Sequence, residues 1–250
     1  VWQFLLKHAK ALPEDIDRAD LYRRGKEWLD LDGREDTPQW SRVWQFLLDH
    51  AKALPEDIDR AALYHRGNRW LDGREDAPEW AFVWQFLLKH AKALPEDIDR
   101  DALYRRGVDW LTGHEAEDPW SFVWQALWER RDAAQTQGAL ANLLTAVSHW
   151  LLVPENRTRG EWDKLLETAL EHGHAPEPLL QAGTAWVIAN PDQPQTPILA
   201  YKLLSQVSAG LNWAEPCAGL LANWLDENSR QRAGGTTIHE MLKSGMARQL

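Results

Sequence analysis

The sequence predicts an all-α protein, an α-solenoid in which helix pairs of about 40 residues stack side by side. Residues 43–82 recur almost unchanged as residues 1–42 before them and residues 83–122 after them. Apolar side chains follow spacings of three and four, which indicates helices, and the alternation and Asn-Gly turns typical of strands are missing. Self-similarity of this period is typical of repeat proteins, whose units bury their apolar faces against one another.

The first helix of each unit shows one apolar face. Leu21, Gly25 and Trp28 are separated by four and three residues, so they lie on the same side of a helix. A Leu-Pro pair precedes this helix in each unit, and its proline predicts the first helical turn. These prolines are Pro13, Pro55 and Pro95. Gly73 and Gly113 predict the helix ends.

The second helix of each unit carries a denser aromatic face. We expect it to begin near Pro38, Pro78 or Pro119 and to end at about Lys52 in the first copy. Its predicted core face contains Trp40, Val43, Trp44, Leu47 and Leu48.

The same frame continues after residue 122 with more substitutions. A Trp-led apolar pair ends the first helix of every unit, at Trp28, Trp70, Trp110, Trp150, Trp186 and Trp224, with spacings of 42, 40, 40, 36 and 38 residues. Later second helices are predicted at residues 161–170, 197–208 and 237–250. The sequence therefore predicts six helix pairs and one orphan helix at residues 1–12, in a single domain with near-identical repeats (1–122) and divergent repeats (123–250). Because the chain opens on Val1 within a repeat, we expect a larger parent protein.

Charge and composition narrow the classes of partner. The chain has 28 Lys and Arg against 38 Asp and Glu, a net charge of −10. A nucleic-acid partner leaves a basic footprint, which is missing, and anionic membranes are disfavoured for the same reason. Cys217 is the single cysteine, which suits a reducing, cytoplasmic compartment. The expected partner is a protein or peptide, and the oligomeric state stays open.

The chemistry-bearing residues predict neither an enzyme nor a cofactor or metal site. His172 and His174 lack a helical metal-binding frame, and Cys217 has no neighbouring histidine. The Pro-Glu-Asp-Ile-Asp runs lack the glycine and distal glutamate of a calcium loop. His8, His50 and His90 recur at the ends of second helices, where a positive charge suits the helix dipole.

A glycine recurs inside the first helix, three residues before the tryptophan. Glycine in a helix interior costs about 1 kcal/mol relative to alanine. The repeated cost at Gly25, Gly67 and Gly107 predicts a close approach of a neighbouring helix or indole ring.

The three leading copies differ mainly along one side of the first helix. We name these positions the variable stripe: Asp20, Arg23, Lys26 and Glu27 in the first copy; Ala62, His65, Asn68 and Arg69 in the second; Ala102, Arg105, Val108 and Asp109 in the third. Two interpretations are open. The variable stripe is either a solvated face that is free to drift or a recognition surface adapted to a partner.

The Leu63, Gly67 and Trp70 spacing resembles the tetratricopeptide repeat, although each unit here is longer and its second helix lacks that family's usual small residue. The resemblance implies a right-handed superhelix, a right-handed α-solenoid, whose first helices line a concave surface that binds protein or peptide ligands. Recently copied units with Trp-led helix ends are also similar to the C-terminal sensor arrays of bacterial STAND and NLR-like NTPases. That likeness implies a role in signal transduction or antiviral defence. Two alternatives are a constitutive scaffold and an accessory repeat domain of an enzyme whose catalytic domain is elsewhere.

Overall fold

A computed structural model of the chain describes residues 17–131, 138–172, 175–206 and 217–223, and all regular structure in them is helical. The predicted all-α class is confirmed for these residues. The α-helices described from end to end are α1 Arg18–Asp30, α2 Pro38–Asp49, α3 Arg60–Trp70, α4 Trp80–Lys89, α5 Arg100–Leu111, α6 Trp120–Trp128, α7 Ala139–Leu152, α8 Trp162–Glu171, α9 Glu177–Ala189 and α10 Thr196–Ser205. Residues 217–223 are also helical.

The chain divides into two compact units, Val1–Ala139 and Leu140–Leu250, and each is described by itself. Several predictions fall outside the described residues, namely the helices at 1–12 and 237–250, Pro13, His8, His174 and Trp224. The solenoid arrangement and the number of repeats stay predictions.

In the first unit, consecutive helices form pairs. Helix α1 packs on α2, α3 on α4 and α5 on α6. The second helix of each pair also packs on the next second helix, α2 on α4 and α4 on α6, while α3 contacts α2 and α5 contacts α4. Each pair is therefore covered by the pair that follows it in sequence.

The first helices begin five residues later than the prolines predicted. Pro55 lies in a turn in which the Ile58 N–H donates to the Pro55 carbonyl at 3.0 Å, and α3 begins only at Arg60. The Asp59 carboxylate caps that helix by accepting from the Ala61 N–H at 2.8 Å. Asp99 caps α5 in the same way, so the prediction that Pro55 and Pro95 start helices is wrong. Buried Leu54 and Ile58 anchor the acidic run as a turn instead.

The predicted helix ends and second-helix starts are confirmed. Gly73 and Gly113 have positive φ angles of 70° and 93°, the left-handed conformation that glycine adopts without strain. Pro38 is the first residue of α2, and α4 and α6 begin shortly after Pro78 and Pro119.

Stacked indole rings fill the interior of the first unit. Trp40 and Trp44 are completely buried, and the Trp40 ring stacks on Trp44 at 5.9 Å and on Trp70 at 5.3 Å between centroids. Trp80, Trp84 and Trp110 repeat this triplet in the next pair. A buried indole removes about 150–250 Å² from water, or roughly 4–6 kcal/mol as an upper estimate. These triplets are thus a major source of stability for the unit.

The helical glycines make room for the indoles. A Cβ added to Gly67 would lie 2.1 Å from Trp44 Cζ2, and a Cβ on Gly107 would lie 2.1 Å from Trp84 Cζ2. In the same contact, Trp44 Nε1 donates to the Leu63 carbonyl at 2.7 Å. The predicted close approach is confirmed for both glycines, and the partner is an indole ring.

The second unit keeps part of this packing arrangement but builds it from different side chains. Helix α10 packs on α8 and α9. Gly183 faces leucines instead of an indole, since an added Cβ would lie 3.0 Å from Leu203 and 3.1 Å from Leu166. The Trp162 indole donates to the Leu151 carbonyl at 3.0 Å, which is the contact that Trp80 makes with Leu71 and Trp120 with Leu111 in the first unit. Sequence reasoning missed Trp162, although it stands at the start of a second helix as those residues do.

We predict that Gly67→Ala destabilises the protein by about 2 kcal/mol or more, because the new methyl group forces the Trp44 ring out of its site. Gly67→Leu is expected to lower the free energy of unfolding further. The free energy of unfolding from urea denaturation measures the effect.

The matched control is Gly219→Ala, because Gly219 is also helical but an added Cβ meets open space. That change should be neutral or stabilising by up to about 1 kcal/mol. Equal effects of the two substitutions would refute the close-packing explanation.

Candidate functional site

The variable stripe lies on the accessible sides of α1, α3 and α5, and none of its residues is buried. The exposed members are Arg23, Glu27, Ala62, Arg69, Ala102, Arg105 and Asp109; the half-exposed members are Asp20, Lys26, His65, Asn68 and Val108. The predicted placement away from the Leu, Gly and Trp face therefore agrees with the observed exposure.

One position of the variable stripe contacts the next helix pair. Arg23 Nε donates to Asp57 Oδ2 at 2.9 Å, and His65 Nε2, at the equivalent position, lies 3.3 Å from Asp97 Oδ1. The hydrogen bond from Arg23 lowers the pKa of Asp57. This position thus joins one pair to the acidic turn of the following pair. Sequence reasoning missed the contact of Arg23 with Asp57, because the two residues are 34 positions apart.

A second position of the variable stripe is free. Glu27, Arg69 and Asp109 each follow the helical glycine by two residues, and all three side chains are exposed. Within residues 17–131, none of their charged groups forms an ion pair or a hydrogen bond. Among the described residues, these charges are therefore open to solvent or to a partner.

The stripe residues Lys26, Ala62 and Arg69 border a cleft of about 500 Å³ between α1 and α3, which we name cleft 1. Its full lining is Lys26, Asp30, Glu35, Asp59, Ala62, Leu63, Arg66, Arg69, Trp70 and Arg74. Buried Trp70 is part of this lining, and most of the other lining side chains are charged.

An equivalent cleft of about 540 Å³ occurs one repeat later, which we name cleft 2. Its lining is Glu75, Ala102, Arg105, Arg106, Asp109, Trp110 and His114. The two clefts share a tryptophan, an alanine, an arginine and a glutamate at matching repeat positions. They differ in charge, since Arg69 in cleft 1 is replaced by Asp109 in cleft 2.

Arg66 links the two helices that form cleft 1. Its guanidinium donates to Asp30 at 2.6 Å and to Glu35 at 3.1 Å, and also to the Leu29 carbonyl. Burial alone would raise the pKa of Asp30, but hydrogen bonds from Lys26 and Arg66 outweigh it and the pKa is lowered. In cleft 2, Arg106 reaches back to Asp72 in the same way.

A cation or imidazole covers the tryptophan at the end of each cleft. The Arg74 guanidinium lies 5.5 Å from the centre of the Trp70 ring and 3.0 Å from Asp36. His114 takes this place in the next repeat, stacked on Trp110 at 4.4 Å with its Nε2 3.5 Å from Asp76. These contacts join consecutive repeats beside the clefts.

Two side chains with potential catalytic chemistry, those of His90 and Cys217, lie in half-buried and buried positions. Among the described residues, no cluster of three His, Cys, Asp or Glu side chains could hold a metal ion. Burial lowers the pKa of His90, and its Nε2 is buried without a hydrogen-bond partner among the described residues, so burial disfavours the positive charge that would suit the helix dipole there. Cys217 is buried, with its Sγ 3.7 Å from Thr184 Oγ1, and burial raises its pKa.

No helix in the described part of the chain is long and apolar enough to cross a membrane. Comparison with known proteins gave no match to a family profile, to a curated protein or to a solved structure.

We predict that Arg66→Ala destabilises the first unit by about 1–2 kcal/mol, because it removes charge-assisted hydrogen bonds made by a side chain that is only 19% exposed. Thermal or urea unfolding measures the loss.

Arg24→Ala is the matched control, because Arg24 holds the same repeat position but is 70% exposed and, among the described residues, pairs with Asp20 of its own helix alone. Such a pair contributes about 0.5 kcal/mol or less. A loss at Arg24 as large as that at Arg66 would contradict a special role for the link between repeats.

Proposed function

We propose that this chain is a protein- or peptide-binding helical repeat array whose partner lies along the variable stripe on α1, α3 and α5. The observation that carries the proposal is that one cleft recurs in consecutive repeats, with some lining residues conserved between the copies and an exposed charged residue replaced. Cleft 1 and cleft 2 keep the buried tryptophan and the linking arginine, while the exposed charge between them reverses.

The exposed surface supports binding more than chemistry. Polar and charged side chains make up most of the variable stripe, and three of them, Glu27, Arg69 and Asp109, have no ion-pair partner within residues 17–131. Charged side chains also line both clefts, whereas the pockets typical of small-molecule sites are mostly apolar. A long ligand that crosses several repeats could contact both clefts at once, which is how repeat arrays reach useful affinity.

We further propose that the helix pairs continue as a solenoid and that the array is the ligand-sensing region of a larger bacterial defence or signalling NTPase. The support for the solenoid is the packing of α2 on α4 and of α4 on α6. The support for sensing is the likeness of the sequence to such arrays.

The two interpretations of the variable stripe, a solvated face that drifts and a recognition surface, predict different effects of mutation on partner binding. If the stripe is merely solvated, replacing its charges leaves every interaction of the chain unchanged. If it is a recognition surface, the same replacements remove the partner while the fold survives, because exposed ion pairs contribute only about 0.2–1 kcal/mol.

The test replaces Arg23, Arg105 and Asp109 together by alanine and uses the immobilised chain to capture proteins from bacterial extracts, with and without phage infection. The matched control replaces Arg42, Lys89 and Asp49, which are exposed residues on α2 and α4 with the same set of charges. We expect a defined protein that the wild type and the control retain and that the stripe variant loses at least tenfold by quantitative mass spectrometry.

Equal capture by the stripe variant and the control would contradict the proposed surface. Retention that depends on infection supports sensing. Retention that is equal in both extracts supports the constitutive scaffold.

A further inference from the structure

The free position of the variable stripe alternates in charge along the array. Glu27 on α1, Arg69 on α3 and Asp109 on α5 are equivalent residues of consecutive copies, and they present negative, positive and negative groups in that order. Each is exposed, and none has a partner within residues 17–131.

The surrounding charges do not neutralise this pattern. In cleft 1, Lys26 and Arg66 bind Asp30 at 2.7 and 2.6 Å, and Arg74 binds Asp36. Arg69 is thus the one cation lining that cleft whose charge is unpaired among the described residues. In cleft 2, Arg105 lies 3.6 Å from Asp99 and Arg106 binds Asp72, so the Asp109 carboxylate has no ion-pair partner within residues 17–131.

We propose that the partner is an extended polypeptide segment with an acidic side chain opposite Arg69, flanked by basic side chains opposite Glu27 and Asp109. This inference rests on the proposed function and specifies its ligand. A nucleic acid would place phosphate beside two carboxylates. A uniformly basic chain would place a positive charge opposite Arg69, which would repel it. Only a segment of mixed charge complements all three positions.

The helix spacing sets the distance between the charged residues of the partner. Because Arg66 of α3 hydrogen-bonds the Leu29 carbonyl of α1, these first helices are neighbours, on the order of 10 Å apart. An extended chain in the polyproline-II conformation rises about 3.1 Å per residue with three residues per turn, so it covers that distance in about three residues and presents those side chains on one face. The expected pattern is therefore basic, acidic and basic side chains at intervals of about three, and it reads the same in both chain directions.

The experiment selects phage-displayed random dodecapeptides on three purified chains. These are the wild type, the reversal variant Glu27→Arg/Arg69→Glu/Asp109→Arg, and Asp49→Arg. The last variant matches the net charge of the reversal variant but changes an exposed residue of α2. Because the reversed positions are unpaired, the reversal variant should keep its fold, and circular dichroism checks this.

We expect the wild type and Asp49→Arg to enrich peptides with the basic–acidic–basic pattern, and the reversal variant to enrich the acidic–basic–acidic pattern. A synthetic consensus peptide from the wild-type pool should bind the reversal variant roughly tenfold more weakly by fluorescence anisotropy. Peptide pools without this pattern, or with the same pattern for the wild type and the reversal variant, would overturn the inference and leave peptide binding itself intact. A failure of every chain to enrich any peptide would instead overturn the proposed function together with the inference.

Discussion

The contact between an indole ring and the α-carbon of a helical glycine determines how neighbouring helices of the first unit meet. Trp44 from α2 fits over Gly67 of α3 and Trp84 from α4 over Gly107 of α5, each so closely that a single methyl group would collide with the ring. The indole N–H then binds a backbone carbonyl of the same helix, Leu63 or Leu103. The buried ring thereby satisfies its polar group, and the position and angle of the helix are specified together.

This constraint explains why some positions stay constant while others vary. The residues that hold the pairs together are the glycine, the indoles and the linking arginine, and a change in any of them disturbs a buried contact. The outward positions of the first helix make few or no such contacts, so they can change without loss of the fold. The clefts are formed by the constant residues, and their charge is set by the changeable ones, which is the division of roles that a modular binding surface requires.

The sequence was sufficient for the helical class, for the second-helix starts and for the close approach at Gly67, because these depend on local spacing and on the repeated cost of a helical glycine. It was misleading at Pro55, where a proline compatible with a helix start lies in a turn and Asp59 caps the helix instead. It did not predict the contacts between repeats, such as Arg66 with Asp30 and His114 with Asp76. No local pattern indicates which charged residues pair when they are more than 30 positions apart. For the same reason, the exposed charge of Arg69 and Asp109 could be predicted, but the clefts beside them could not.

A double-mutant cycle between Trp44 and Gly67 tests the central packing claim most directly. Trp44→Phe removes the ring atoms Cζ2 and Cη2 that stand against Gly67, so it should relieve the clash that a new Cβ creates. We predict that Gly67→Ala costs at least about 1 kcal/mol less in the Trp44→Phe background than in the wild type, measured as the free energy of unfolding. An identical cost in both backgrounds would show that the two residues are energetically independent and would contradict the account.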